Sequence, residues 1–82
     1  MKVTLSKDAQ KQYQRLPKPQ QLKIRKKLIG LEQDSHTGKK LEGELKGVYS
    51  LRAWPYRILY EINGEKQTIE VHKIAHRQGA YK

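Results

Sequence analysis

The chain has 82 residues, no cysteine, and 18 Lys or Arg against eight Asp or Glu, which gives a formal charge of +10. This length predicts one domain over residues 1–82, and the lack of cysteine excludes disulfides, a thiol nucleophile and a Cys-ligated zinc site. No apolar run reaches the roughly 20 residues of a membrane span. We therefore expect a soluble, cytoplasmic protein with no membrane contact, whose natural partner carries a large negative charge.

The first half of the chain predicts a short strand and two helices. Residues 2–5 alternate polar and apolar side chains, as a strand does. Ser6 is the predicted N-cap of the first helix, and Pro17 ends that helix. Pro19 fits the first turn of a second amphipathic helix that ends near residue 33 or 34. The apolar positions of the two helices recur at helical spacing: Ala9, Tyr13 and Leu16, then Leu22, Ile24, Leu28, Ile29 and Leu31.

The second half predicts a loop and a three-stranded meander. Residues 35–47 contain three glycines and are predicted to form a loop anchored by Leu41 and Leu45. Beyond them the apolar period becomes two, which predicts strands over 48–54, 56–62 and 68–75, with an Asn63-Gly64 turn and a tail over 76–82. On the middle strand, four large side chains share one face: Tyr56, Ile58, Tyr60 and Ile62.

This β-α-α-β-β-β order predicts an α+β fold, with a helix hairpin packed on one face of a small twisted antiparallel sheet. The other face of the sheet is left free. Residues 1–40 hold eleven Lys or Arg and three Asp or Glu, a surplus of +8, whereas the remainder has a surplus of only +2. That second half nevertheless mixes arginines with aromatic residues, a combination suited to RNA bases and phosphates.

The sequence offers little conventional catalytic machinery. His36, His72 and His76 have no metal-binding spacing, so we expect no metal and no cofactor. Arg57 lies in a strand of alternating apolar residues, where it must pair, snorkel or face a functional surface. A salt bridge to Glu61 or Glu70 is the structural alternative. RNA cleavage by the 2′-hydroxyl needs cations and proton-transfer groups but no metal, and the composition suits that chemistry.

Two segments resemble a known family. Residues 51–62 (LRAWPYRILYEI) resemble the "LR…YR" core of the RelE/ParE toxin superfamily, and residues 74–81 (IAHRQGAY) resemble its closing "I-G-H-R…Y" signature. Gly38-Lys39-Lys40-Leu41 followed by Gly47-Val48-Tyr49 also matches the loop before the meander. The motifs occur in the family's order over essentially the whole chain.

The resemblance implies the toxin of a type II toxin–antitoxin module. Its RelE-like branch implies a metal-independent endoribonuclease that cuts mRNA in the ribosomal A site, where the 2′-hydroxyl attacks the adjacent phosphate. The implied partners are a cognate antitoxin, the ribosome with its 16S rRNA, and mRNA. The toxin alone would be a monomer and would form a hetero-oligomer with the antitoxin. The alternative is a ParE-like poison of DNA gyrase with the same fold and no nuclease activity.

The resemblance also implies roles for individual residues. Four residues match the family's catalytic positions: Arg57 at the scissile phosphate, His76 as acid or base, Arg77 for transition-state charge, and Tyr81 for orienting the nucleotide. The supporting RNA-binding cations are Lys39, Lys40, Lys46, Arg52 and Lys73. Val48 and Ser50 stand where relatives have lysines, which leaves the general base open, with Lys46 as a possible substitute.

Overall fold

The structure, a computed structural model, describes residues 1–41 and 47–76. It contains strand β1 (Lys2–Leu5), helices α1 (Lys7–Arg15) and α2 (Lys18–Gln33), and strands β2 (Lys39–Lys40), β3 (Tyr49–Ala53), β4 (Tyr56–Asn63) and β5 (Thr68–His76). The α+β fold and the packing of two helices on a sheet are confirmed. Within the described residues, no helix is long and apolar enough to cross a membrane.

Local signals place the helices as the sequence predicts. The Ser6 hydroxyl accepts a hydrogen bond from the Ala9 amide at 3.1 Å, which caps the start of α1. Pro17 separates the helices and Pro19 lies in the first turn of α2, where its missing N–H leaves no helical bond unmade. The short connection makes the two helices neighbours over the same sheet.

The sheet differs from the prediction in two respects. Its strand order is β1-β5-β4-β3-β2, and β1 runs parallel to β5, whereas all the other pairs are antiparallel. Residues 39 and 40, predicted as loop, form the edge strand β2 beside β3. The helix hairpin carries the chain from one edge of the sheet to the other, so long-range pairing rather than local pattern sets both features.

The hydrophobic core lies between the helices and one face of the sheet. Ala9 of α1 and Ile24 and Leu31 of α2 are fully buried there. They pack against the alternate residues of the strands, including Leu51, Ile58, Tyr60, Ile69 and Val71. Two of the apolar positions that the sequence indicates on α2, Leu22 and Ile29, are 57% and 51% exposed, because only one side of α2 faces the sheet.

Candidate functional site: the open face of the sheet and its cationic cavity

The alternation along β4 separates a buried face from an open face. Tyr56, Ile58, Tyr60 and Ile62 point toward the helices, as the sequence predicts, and contribute to the core. The residues between them therefore lie on the opposite face. We call this second surface, on which residues 1–41 and 47–76 place no helix, the open face.

Arg57 lies on the open face between two neighbouring strands. It is directly opposite Arg52 on β3 and opposite Ala75 on β5. Directly opposed residues share a face, so the register brings Arg52 and Arg57 together. Arg52 also lies over the Trp54 ring, with its Cζ 5.1 Å from the ring centroid. The structure thus places two of the predicted cations next to each other, with an exposed aromatic ring beside them.

A second row of open-face positions runs parallel to the arginines. Across the strands it consists, in order, of Lys39, Ser50, Leu59 and Lys73. Lys39 and Lys73, both predicted to contact RNA, therefore belong to this face. Lys40 is exposed but lies opposite Tyr49, a residue of the helix-covered face. The register separates the two adjacent lysines onto different faces.

Acidic residues occupy a different part of the open face. Glu61 of β4 lies opposite Glu70 of β5, four positions along β4 from Arg57. The Glu61 carboxylate is 3.0 Å from Nε2 of His72, and both side chains are nearly half exposed. The pairing of β4 with β5 is irregular between Leu59 and Tyr60, and His72 lies at this irregularity without a paired residue on β4. On the neighbouring strands, the residues directly opposite Arg57 are Arg52 and Ala75, whereas Glu61 and Glu70 lie opposite each other.

A cavity of about 430 Å³ opens beside the two arginines at the β2–β3 edge of the sheet. None of its described lining residues is acidic. We call it the cationic cavity, and its lining is Lys27, Thr37, Gly38, Lys39, Ser50, Leu51, Arg52 and Arg57. Lys27 comes from α2, so this helix adds a fourth cation to three that come from the sheet. Such a lining favours a phosphate or another anion.

Ser50 is the least conventional member of this lining. The residue is only 5% exposed, and its buried hydroxyl oxygen has no hydrogen-bond partner. A buried hydroxyl without a partner costs free energy, so a ligand oxygen that bonded to it would offset that cost. Sequence reasoning noted Ser50 only as the replacement for a lysine. Its alternation with Arg52 on β3 was the signal that could have placed it in the site.

Tyr60, a core residue, holds part of the lining of the cationic cavity in place. Its hydroxyl donates to the Ser35 carbonyl at 2.9 Å and accepts from the Gly38 amide at 3.1 Å. Its ring stacks on Tyr49 with centroids 5.3 Å apart. A Cβ added at Gly38 would lie 2.5 Å from the Tyr60 hydroxyl and 3.1 Å from the Ser50 carbonyl oxygen. Only glycine allows the backbone at position 38 to approach Tyr60 and Ser50 so closely. This approach positions the neighbouring residues Thr37 and Lys39.

Burial raises the pKa of Tyr60 above its usual value of 10.0, and the hydrogen bond from the Gly38 amide opposes this effect. The phenol therefore remains neutral at physiological pH. A neutral hydroxyl can both donate to Ser35 and accept from Gly38, as the geometry requires. The Tyr60 hydroxyl thus links the Ser35 carbonyl to the Gly38 amide through two hydrogen bonds.

His76, predicted as the acid or base, lies at the end of β5 rather than in a free tail. It is opposite Tyr56, and the two rings meet edge to face with centroids 5.7 Å apart. Tyr56 belongs to the helix-covered face, so His76 does not share a strand face with Arg57. The remaining predicted site residues, Arg77, Tyr81 and Lys46, lie outside the described residues, as does the predicted loop anchor Leu45.

Two residues of this region, Lys27 and Thr37, were not singled out from the sequence. Lys27 and Thr37 line the cationic cavity from α2 and the turn after it. Trp54, 47% exposed, lies in the turn between β3 and β4. Nothing in the local sequence around Lys27 separates it from the other lysines of α2. Over residues 1–41 and 47–76, no group of three His, Asp or Glu side chains could hold a metal ion.

Comparison with known proteins decides the family. A family model described as the ParE toxin of a type II toxin–antitoxin system, parDE, matches residues 3–81. The chain belongs to this family. The predicted resemblance to the RelE/ParE toxin superfamily is thereby confirmed.

Relatives of this ParE toxin family member agree with the assignment. Toxin RelG of Mycobacterium tuberculosis is 40% identical over 45 residues, and the match covers 55% of this chain and 52% of that protein, about half its length. The toxin–antitoxin complex RelBE2 of the same organism contains a chain that superposes with a TM-score of 0.85 and 28% identity, over 93% of this chain and 96% of that one.

An archaeal structure extends the likeness. The RelE–RelB complex of Pyrococcus horikoshii matches with a TM-score of 0.78 and 28% identity, over 96% of this chain and 97% of that chain. Its fold and that of RelBE2 agree with this chain along nearly the full length. The chain is therefore a toxin-family domain of the RelE/ParE type.

Proposed function

We propose that this chain is the toxin of a type II toxin–antitoxin module and cuts mRNA in the ribosomal A site without a metal. The observation that carries the proposal is the cationic cavity. Lys27, Lys39, Arg52 and Arg57 line it together with a buried, unpartnered Ser50 hydroxyl, and no described lining residue is acidic. This arrangement suits a phosphodiester.

The proposed chemistry uses the 2′-hydroxyl of the substrate as the nucleophile. Its oxygen attacks the adjacent phosphorus, the bond to the 5′-oxygen of the next nucleotide breaks, and the products are a 2′,3′-cyclic phosphate and a free 5′-hydroxyl. Negative charge increases on the non-bridging oxygens during the attack. Arg52 and Arg57 strengthen their contacts with these oxygens as the charge grows, which lowers the barrier.

Proton transfer needs one acceptor for the 2′-hydroxyl and one donor for the 5′-oxygen. We propose His76 for this work, because a neutral imidazole has one ring nitrogen that can accept a proton and one that can donate. His76 ends β5 one residue after Ala75, the partner of Arg57, and its ring meets Tyr56 on the opposite face of the sheet, so this proposal requires the nucleotide to pass over the end of β5. Arg77 and Tyr81 remain proposed contributors to transition-state charge and nucleotide orientation, respectively.

Trp54 provides a stacking surface next to the proposed phosphate site. Its ring is about half exposed and lies beneath the Arg52 guanidinium. An unstacked RNA base can lie on such a ring, at a typical gain of about 1–3 kcal/mol. We propose that the base next to the scissile phosphate is held there.

The proposed partners follow from the target and the family. mRNA and the 16S rRNA of the A site would bind the cationic surface, which places the activity in the cytoplasm with the ribosome. An antitoxin would neutralise it, since chains of similar structure occur in toxin–antitoxin complexes. Together they would form a hetero-oligomer.

The test adds purified protein to programmed ribosomes and maps cuts by primer extension. Cuts within the A-site codon, absent with Arg57→Ala and retained with the surface control Arg15→Ala, are the expected result. Arg15 lies exposed in the last turn of α1. Intact mRNA with the wild-type protein would contradict the proposed nuclease.

A gyrase poison is the second candidate, and a specific observation favours it: the matching family model is that of the ParE toxins. Val48 and Ser50, which replace lysines of RelE-like relatives, point the same way. The assay is supercoiling of relaxed plasmid by purified gyrase. Inhibition of supercoiling together with uncut mRNA would select this function, and the reverse pattern would exclude it.

A further inference from the structure

The cationic cavity carries more positive charge than one phosphodiester can neutralise. Lys27, Lys39 and Arg52 together supply three positive charges, and Arg57 lines the same space of about 430 Å³. A phosphodiester of RNA carries one negative charge. Because a ribose separates each phosphate of RNA from the next, a single strand places few phosphates in one cavity. The charge therefore favours a ligand whose phosphate groups lie closer together.

Strand register places Ser50 among these cations. Lys39 of β2 lies directly opposite Ser50 of β3. Arg52 lies two residues further along β3, hence on the same face, and Arg57 of β4 is opposite it. Lys27 completes the lining from α2. Ser50 thus lies between a lysine of one neighbouring strand and a pair of arginines, so one polyanion can contact all of them.

The two hydroxyl groups of the lining differ in what they can offer a ligand. Thr37 already donates its hydroxyl proton to the Asp34 carbonyl at 2.8 Å. The Ser50 hydroxyl has no hydrogen-bond partner, although the residue is only 5% exposed. Buried polar groups are nearly always satisfied by protein, by water or by a ligand. Ser50 therefore points to a ligand oxygen that accepts a hydrogen bond.

A terminal phosphate group meets these requirements better than an internal one. It has three oxygens without a further substituent and a charge of about −1.5 to −2, whereas a phosphodiester has two such oxygens. One terminal group can therefore contact the Ser50 hydroxyl, Arg52 and Arg57. Further phosphates, joined to it through shared oxygens, would extend the negative charge toward Lys39 and Lys27. The cavity volume of about 430 Å³ also lies within the range of roughly 300–1,000 Å³ that is typical of small-molecule sites.

We propose that the cationic cavity binds the oligophosphate group of a small free ligand, either a nucleoside triphosphate or an inorganic oligophosphate, and that this ligand competes with RNA. The competition rests on the RNA binding proposed above, since both ligands need Arg52 and Arg57. Binding of the oligophosphate itself does not depend on nuclease activity. The free protein would thus have two mutually exclusive bound forms, and the form that holds the small ligand would not hold mRNA.

The direct test titrates the labelled protein with sodium tripolyphosphate, ATP and AMP, in buffer with EDTA so that no metal ion shields the phosphates. Tripolyphosphate and ATP should bind about tenfold or more tightly than AMP and should shift the amides of Gly38, Lys39 and Ser50. Tighter binding of ATP than of tripolyphosphate would assign the site to a nucleotide, and equal affinities would assign it to the oligophosphate group alone. AMP binding as tight as that of ATP, or shifts confined to other residues, would overturn the proposal.

Substitutions separate a built site from the general attraction of a +10 chain for any polyanion. Lys27→Gln and Ser50→Ala should each lower the affinity for ATP about tenfold. Lys27→Gln should lower the affinity for AMP much less, because AMP has no further phosphate to reach this side chain. Arg15→Gln and Lys66→Gln each remove one exposed charge outside the cavity and should leave the affinity for ATP within about twofold. Equal weakening by the cavity and surface variants would refute the assignment.

Competition is measured with a labelled single-stranded RNA oligonucleotide that has hydroxyl groups at both ends. ATP or tripolyphosphate should displace it from the wild-type protein at concentrations near their own dissociation constants. Simultaneous binding of RNA and ATP would refute the competition. Intact mRNA on programmed ribosomes would refute the nuclease proposal and leave the ATP titrations standing, whereas A-site cleavage by a protein that binds neither ATP nor tripolyphosphate would refute only the oligophosphate site.

Discussion

Arg52 and Arg57 are directly opposed across β3 and β4, so two guanidinium groups extend from paired positions on the same face of the sheet. Like charges in such positions destabilise a strand pair by a few tenths to about 1 kcal/mol. The Trp54 ring under Arg52 partly offsets this repulsion. A bound phosphate would offset it further, and both arginines line the cavity where we place one.

Replacement of Arg57 should therefore reduce toxicity while leaving the stability of the fold almost unchanged. Arg57→Gln is expected to remove growth inhibition and weaken RNA binding by about tenfold or more, while thermal stability changes by less than about 1 kcal/mol. Arg15→Gln on α1 is the matched control and should keep toxicity. Growth assays on expression and circular-dichroism melts measure the two quantities. Full toxicity of a folded Arg57→Gln protein would place the active site elsewhere.

Ser50 tests whether the buried hydroxyl serves a ligand. Its oxygen has no partner in the free protein, so Ser50→Ala should leave the free energy of unfolding unchanged or raise it by up to about 1 kcal/mol. RNA affinity should fall at the same time, because the bond to the ligand is lost. Chemical denaturation and fluorescence titration with a labelled oligonucleotide provide the check. Reduced stability with unchanged RNA affinity would show that the hydroxyl has only a structural role.

Gly38 should be intolerant of even the smallest side chain. A methyl group there meets the Tyr60 hydroxyl at 2.5 Å and the Ser50 carbonyl at 3.1 Å, so Gly38→Ala must displace the residues between α2 and β2. We expect a loss of about 1–3 kcal/mol in unfolding free energy, as for overpacked sites. Gly64→Ala is the control, since its added Cβ would meet nothing within 4 Å. Equal melting temperatures for the two variants would contradict the close approach.

Tyr60 should make the protein sensitive to alkali. Below pH 10 its phenol is neutral whether the chain is folded or unfolded, so it adds no pH dependence. Between the ordinary pKa of 10.0 and the higher pKa of the folded state, the folded chain keeps a proton that the unfolded chain has lost. The free energy of unfolding then falls, with a limiting slope of about 1.4 kcal/mol per pH unit.

Tyr60→Phe should be less stable at neutral pH by about 1–3 kcal/mol, because the Gly38 amide and the Ser35 carbonyl lose their shared partner. Its unfolding free energy should nevertheless decline less steeply above pH 10 than that of the wild type. Tyr13→Phe removes a phenol while leaving the Tyr60 bonds intact and should keep the steep decline. Urea denaturation from pH 8 to 11 measures these slopes, and parallel curves for wild type and Tyr60→Phe would contradict the assignment.

Much of the fold could be predicted from the sequence because the signals are local. The Ser6 cap, the two prolines between the helices and the Asn63-Gly64 turn act through backbone geometry within a few residues. The strict alternation from Tyr56 to Ile62 likewise determined which side chains of β4 enter the core and which face away. Arg57 could be placed on the open face for that reason.

The contents of the candidate site could be predicted only in part. Strand register, which depends on pairing between distant segments, sets Arg52 against Arg57 and brings Lys39 into line with Ser50. The same register places His76 opposite Tyr56, on the face away from Arg57. No pattern within a single segment contains that information.

The sequence by itself determined the family, the order of helices and strands, and the excess of positive charge, since motifs, periodicity and composition are properties of the chain alone. Only the tertiary structure decided that β1 runs parallel to β5, that residues 39 and 40 form an edge strand, and that Lys27 joins the sheet cations at one cavity. The physical reason is that the packing of α2 against β3, which depends on contacts between distant segments, selects which of the many lysines lie near the arginines.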